Sequence, residues 1–150
     1  ACIAGPLDKT PARLRLEGFK KAMAAAGLSL PPEYIVNGDF EFQGGYNGMN
    51  ALLACKTRPQ AVFTSNDAMA VGAYHALYQA GLRIPEDIAM LGFDGLPWSA
   101  MLSPPLSTLE QPMHQLGVRS VQLLLQRIKD PHAPHVHEQL NCKLVERASS

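Results

Sequence analysis

The sequence predicts an α/β fold, a doubly wound parallel sheet with helices on both faces. Three observations carry this. The strand candidates are apolar throughout rather than alternating; Ile88 to Phe93 is the longest, and such runs suit strands buried on both faces. Stretches with apolar residues at helical spacing separate them. Polar turns follow the strands, where the helices begin, as in βαβ units.

The elements follow in order. Cys2-Ile3-Ala4 is a short strand stopped by Gly5-Pro6. Thr10-Pro11 supplies a helix N-cap with proline in the first turn. Leu16, Phe19, Met23 and Ala26 recur at helical spacing, and Gly27 closes the helix. After Pro31-Pro32, Tyr34 to Val36 reads as a strand. A helix is expected from about Tyr46 to Cys55, with Met49, Leu52 and Leu53 on one face. Gln60 to Thr64 is the next strand, ended by Ser65-Asn66-Asp67, and the helix Ala68 to Ala80 is closed by Gly81. Strand 88–93 ends at Asp94-Gly95. Beyond Leu96 the rhythm breaks: Pro97, Pro104 and Pro105 bound a short helical piece, and Leu106 to Leu109 is a brief strand. Met113 to Lys129 is a helix with Leu116, Val121, Leu124, Leu125 and Ile128 in one stripe. Asp130 to His137 reads as a loop and Glu138 to Val145 as a final strand.

Composition narrows the function. At 150 residues, 47% hydrophobic and 17% charged, the chain is an ordinary globular domain able to bury a core. A formal net charge of zero offers no basic field for a polyanion, so this chain alone is not expected to bind DNA. Cys2, Cys55 and Cys142 form no CxxC pair and leave one odd, which points to a reducing compartment, the cytoplasm, with inert thiols. No apolar run approaches a membrane span. The chain lacks an initiator Met and opens directly on a strand, so it reads as a piece of something longer.

In an open parallel sheet, ligands bind beyond the carboxyl ends of the strands. The polar groups placed there are Asp39 with Phe40, Asn66 with Asp67, and Asp94. Asn66 and Asp67 open a helix, so either could instead be its cap. Asp94 has no cap to supply unless a helix starts at Pro97. Arg13, Arg15 and Glu17 lie on the first helix as a solvated charged face, unless Arg15 turns its fork over the strand ends. Enzyme signatures are missing: no GxSxG, no Walker A loop, no GxGxxG and no HExxH. Ser65 as a hydrolase nucleophile has no His near it in sequence. Gly44-Gly45-Tyr46-Asn47-Gly48 lacks the Lys-Ser/Thr of a phosphate loop and reads as a flexible lead-in to a helix. His132, His135 and His137 are closely spaced, but in a proline-rich loop without a Cys partner they are not expected to bind a metal. No cofactor is implied.

Taken together, several motifs resemble the effector-binding domain of lactose/galactose-type bacterial repressors. They are Val62-Phe63-Thr64-Ser65-Asn66-Asp67-Ala68-Met69-Ala70, Ile84-Pro85-Glu86-Asp87-Ile88, Gly92-Phe93-Asp94-Gly95, Thr108-Leu109-Glu110-Gln111-Pro112 and Leu144-Val145-Glu146-Arg147. The match runs over nearly the whole chain. The resemblance implies the two-lobed fold shared with periplasmic sugar-binding proteins, of which residues 1–150 form the C-terminal lobe. Helix 113–129 would cross to the other lobe, leaving its stripe exposed or buried in a dimer. Carried over from ribose-binding members of that group, the ligand contacts fall on Arg15, Phe40, Asn66, Asp94 and Gln111, and Asp67 becomes the helix cap. Purine-sensing relatives have a Thr contact where this chain has Pro11, so a pentose such as ribose is the expected effector. The implied partners are that sugar, a second copy in a homodimer, and operator DNA through a headpiece outside this chain. A periplasmic sugar carrier of a transport system is the alternative.

Overall fold

The computed structural model describes residues 1–150. Its strands are β1 (Cys2–Ala4), β2 (Ile35–Asn37), β3 (Ala61–Thr64), β4 (Ala89–Asp94), β5 (Ser107–Glu110) and β6 (Lys143–Val145). Its helices are α1 (Thr10–Ala25), α2 (Phe42–Leu53), α3 (Asp67–Gln79) and α4 (Met113–Lys129), with 3-10 turns at Pro32–Tyr34 and Pro97–Met101. The sheet order is β2-β1-β3-β4-β5-β6. The first five strands pair in parallel, and β6 joins the β5 edge antiparallel, Thr108 opposite Val145. This is the expected α/β architecture, with one antiparallel edge that the sequence did not announce. Strand β6 is also shorter than the expected 138–145.

Helices cover both faces unequally. Ile3, Val62 and Met90 pack with Met49 and Leu52 of α2 and Met69, Ala73 and Leu77 of α3 into the main core. On the other face Cys2 and Ala4 meet Leu16 of α1, while Phe19 stacks on Phe63 with centroids 5.9 Å apart. Each strand therefore sends alternate residues to opposite layers, which is why it reads as apolar throughout. Burial pushes the Cys2 thiol up to about 12, the inert state expected for a structural cysteine; all three cysteines are unpaired.

Helices α1 and α3 end as the sequence implies. Gly27 and Gly81 take φ of 66° and 69°, and Leu28 and Leu82 donate back to the carbonyls of Met23 and Leu77 at 3.0 Å, the Schellman arrangement. The start of α1 differs from expectation. Lys9 holds the extended cap position without a side-chain bond, and Thr10, the expected cap, lies inside the helix with its hydroxyl accepting from Arg13.

The glycine cluster is the larger correction. Gly44, Gly45 and Gly48 lie inside α2, which begins at Phe42 rather than near Tyr46, and all three are buried. A methyl group on Gly45 would strike the Met69 carbonyl, and one on Gly72 would strike that of Phe42. Gly45 and Gly72 let α2 and α3 approach backbone to backbone, while Gly44 and Gly48 make room for Asp39 and Ile3; the cluster does not loosen the chain. Low intrinsic helix propensity, roughly 1 kcal/mol per glycine, is overridden by this packing.

Helix α4 buries no residue. Its stripe stands in solvent, with Leu124 59% and Ile128 66% exposed. Its side-chain ties run to the segment that follows, through Arg119 to Glu138 and Arg127 to the Ala133 carbonyl.

Candidate ligand site at the strand ends

In this sheet the chain leaves β1 toward β2 on one side and returns to β3 on the other. The crevice beyond the carboxyl ends of β1 and β3 is thus the switch point where ligands bind in such folds. Arg15 reaches across it from α1. One guanidinium nitrogen donates to the Ser65 carbonyl just past β3 at 2.6 Å, and the other lies 3.4 Å from Asp94 Oδ1 at the end of β4. The guanidinium carbon sits 3.8 Å above the Phe93 ring and 5.8 Å from that of Phe40, so the cation is held by stacking as well as by charge. Arg15 therefore turns over the strand ends, whereas Arg13 stays local, bonding Leu7, Asp8 and Thr10.

Asp94 Oδ1 also accepts from Gln111 Nε2 at 2.7 Å, and the Gln111 backbone N–H donates to the Asp94 carbonyl at 3.1 Å. Burial pushes the Asp94 carboxyl above the ordinary carboxylate range, with Arg15 and the Gln111 bond pulling the other way. Burial likewise lowers Arg15, opposed by Asp94. Each ion offsets part of the other's desolvation, but solvation lost still dominates both.

Phe40 and Asn66 form the opposite side. Asn66 Nδ2 donates to the Phe40 carbonyl at 2.8 Å while its Oδ1 accepts from Met69 N at 2.9 Å. Asn66 is therefore the cap of α3, in an extended conformation before the helix, and one Nδ2 proton remains for a ligand. This reverses the expectation that Asp67 caps. Asp67 is the first helical residue, fully buried. Its Oδ1 accepts from Thr108 Oγ1 at 2.7 Å and its Oδ2 from Leu96 N at 2.9 Å. The capping alternative for Asp94 also falls, since Leu96 holds the cap position of the Pro97–Met101 turn without a side-chain cap bond.

All five expected residues, Arg15, Phe40, Asn66, Asp94 and Gln111, thus meet at one place. Two of them, Phe40 at φ 71° and Asp94 at φ 122°, are the two non-glycine residues with positive φ in the chain; such strain collects at functional sites. Sequence reasoning missed Phe93 as the stacking surface for Arg15, and it missed the Asp67–Thr108–Leu96 set. Gly92 was a usable signal, because a glycine inside an apolar strand marks a close approach: a methyl there would fall on Asp67 Oδ1. The cluster is an open rim. Two grooves lie elsewhere, one of about 270 Å³ beside Tyr74, Tyr78 and Pro104 and one of about 350 Å³ between α4 and the loop that follows it. No group of three His, Cys, Asp or Glu residues is placed to hold a metal ion.

Comparison with known proteins agrees with this fold. The family model for the periplasmic binding protein-like domain matches residues 1–150. The ribose operon repressor of Escherichia coli is 53% identical over 150 residues, covering 100% of this chain and 46% of its own length. A transcriptional regulator CelR–cellobiose complex superposes with a TM-score of 0.95 at 33% identity, over 100% of this chain and 46% of that one. The lac repressor dimer bound to operator and the anti-inducer ONPF gives 0.91 at 33% identity, over 100% and 51%. The chain spans about half the length of these relatives.

Proposed function

Since this chain belongs over its whole length to the periplasmic binding protein-like domain family, we propose that it is the effector-sensing lobe of a lactose/galactose-type transcriptional repressor and takes a pentose such as ribose. The observation that carries the reading is the convergence of Arg15, Asp94 and Gln111 beside Phe40 and Asn66 at the switch point. A sugar ring presents vicinal hydroxyls that donate and accept, and an apolar C–H face. Asp94 supplies acceptors, Arg15 donors, and the amides of Asn66 and Gln111 both. Phe40 supplies the face on which the ring stacks. The site is a set of binding groups, with no nucleophile and base in reach of each other.

One lobe forms one wall of such a cleft. In the whole protein a second lobe closes over the sugar, and α4, unburied here, crosses over to pack on it. Closure then biases DNA-binding headpieces between two arrangements, a coupling of typically about 1–3 kcal/mol. The named relatives are transcriptional regulators, which favours gene control in the cytoplasm over sugar transport, and a homodimer as the operator-bound form. No helix is long and apolar enough to cross a membrane.

The test is calorimetry of the full-length protein with D-ribose, with nucleobases as the control ligand. Heat with ribose, and release of operator DNA on adding it, supports the reading. No ribose heat alongside a response to a nucleobase or another sugar overturns the effector assignment. The isolated 150-residue chain, having one wall, is expected to bind ribose no tighter than about millimolar; micromolar binding would contradict the half-cleft argument.

A further inference from the structure

Asp67 is the one fully buried carboxylate of the strand-end cluster, and it has no role in the ligand reading. Burial pushes its carboxyl upward, and the helix it opens already has its cap in Asn66. A buried carboxylate without a task is costly. Its two oxygens nevertheless have specific donors, from β5 (Thr108) and from the turn leaving β4 (Leu96). Strand β4 also carries a glycine where a side chain would collide with this carboxylate.

Between these anchors lie Asp94 and Gly95 with φ of 122° and 75°. Gly95 takes its angle freely, but Asp94, a non-glycine residue, does not hold a positive φ by itself; the surroundings must over-determine it. On one side the Asp94 carbonyl is gripped by Gln111 N. On the other, the Leu96 N–H is gripped by Asp67. The backbone angle at Asp94 sets where its carboxylate points, and so whether one oxygen can face Arg15 and Gln111 while the other stays free.

We infer that Asp67 is a positioning residue: by clamping Leu96 N and Thr108 it holds the turn that aims the Asp94 carboxylate into the ligand site. The ligand part of this rests on the sugar-site reading above, whereas the clamp itself is a statement about the ligand-free backbone.

The experiment separates the two. Amide hydrogen exchange at Leu96 and the Asp94 amide shift are measured by NMR on the full-length protein without sugar, and D-ribose is then titrated into it. Asp67→Ala is expected to speed Leu96 exchange by about tenfold or more, move the Asp94 signal and weaken ribose by about tenfold. Asp67→Asn is expected to restore both, because its amide can accept from Leu96 N and donate to the Thr108 hydroxyl. Thr108→Val removes one of the two grips with little change of shape, so it moves both readouts the same way by less, and it stands in if Asp67→Ala does not fold. Wild-type exchange at Leu96 and an unmoved Asp94 signal in the folded variants overturn the inference. So does a loosened turn with unchanged ribose affinity. If ribose perturbs nothing in the wild type, the sugar reading falls, and the ligand-free signals alone decide the clamp.

Discussion

Replacing Asp94 by Asn separates binding from stability. At 3.4 Å from Arg15, full Coulomb attraction at an effective dielectric of about 20 would be about 5 kcal/mol. That figure is not what the variant loses, because burial of both ions opposes it. The Asp94 carboxyl lies above its ordinary range despite an arginine beside it, so desolvation outweighs pairing and the site does not favour the charge. Asn keeps the oxygen that Gln111 bonds, and it tolerates positive φ better than most residues. Arg15 keeps the Ser65 carbonyl and the Phe93 face but loses its counter-charge, so the expected stability loss is about 1–3 kcal/mol, below the roughly 3–5 kcal/mol of a fully buried ion left unpaired. A sugar hydroxyl sees a different change: a charged acceptor worth roughly 1.5–3 kcal/mol becomes a neutral amide worth about 1. With one or two hydroxyls affected, ribose affinity should fall about 10- to 100-fold. The assay is thermal unfolding of the chain together with ribose calorimetry of the full-length protein. A variant that melts much lower yet binds ribose normally would refute the reasoning, since Asp94 would then be a structural ion.

Three further expectations follow from the same structure. On acidification from neutral pH into the carboxylate range, ribose affinity should fall as Asp94 takes its proton earlier than an ordinary carboxyl, while thermal stability should not fall in parallel on account of Asp67 and Asp94. A carboxyl whose folded pKa is raised contributes stability below its unfolded pKa and loses it as pH rises; melting curves and titrations across that range check both. Gly45→Ala should lower stability by about 1–3 kcal/mol, read as a drop in Tm, because its methyl meets the rigid Met69 carbonyl; an unchanged Tm would show that α2 and α3 can separate freely. The isolated chain should self-associate through Leu116, Val121, Leu124, Leu125 and Ile128 of α4, and Leu124→Glu should raise the monomer fraction in sedimentation with little change in Tm; a clean wild-type monomer at high concentration refutes this.

The sheet and the positions of the strand ends were legible because both are local properties. An apolar run and the polar turn behind it are adjacent in sequence, and an open parallel sheet places its ligands there whatever the side-chain details. Four of the five expected site residues, Phe40, Asn66, Asp94 and Gln111, lie together for that reason, although the identity of the set came from family resemblance rather than from spacing. The direction of Arg15 was not legible. Whether it faces solvent or the crevice depends on how α1 is rotated against β1, which Leu16 and the small Cys2–Ala4 face decide.

The roles of Asn66 and Asp67 show the boundary most clearly. Both residue types cap helices, and neighbours in sequence cannot be ranked by propensity alone. Their partners decided it: Thr108 is 41 residues away and Leu96 is 29. The glycines of α2 follow the same rule, since the Met69 backbone of α3 requires Gly45 and Ile3 of β1 crowds Gly48, and neither partner is near in sequence. The sequence by itself determined the strands, their apolar faces and the rim on which polar groups collect, because these depend on residues near each other in the chain. Only the tertiary structure decided which polar group caps, which bonds the turn at Leu96 and which stays at the strand ends, because each carboxylate and amide is committed by partners that folding alone brings within 3 Å.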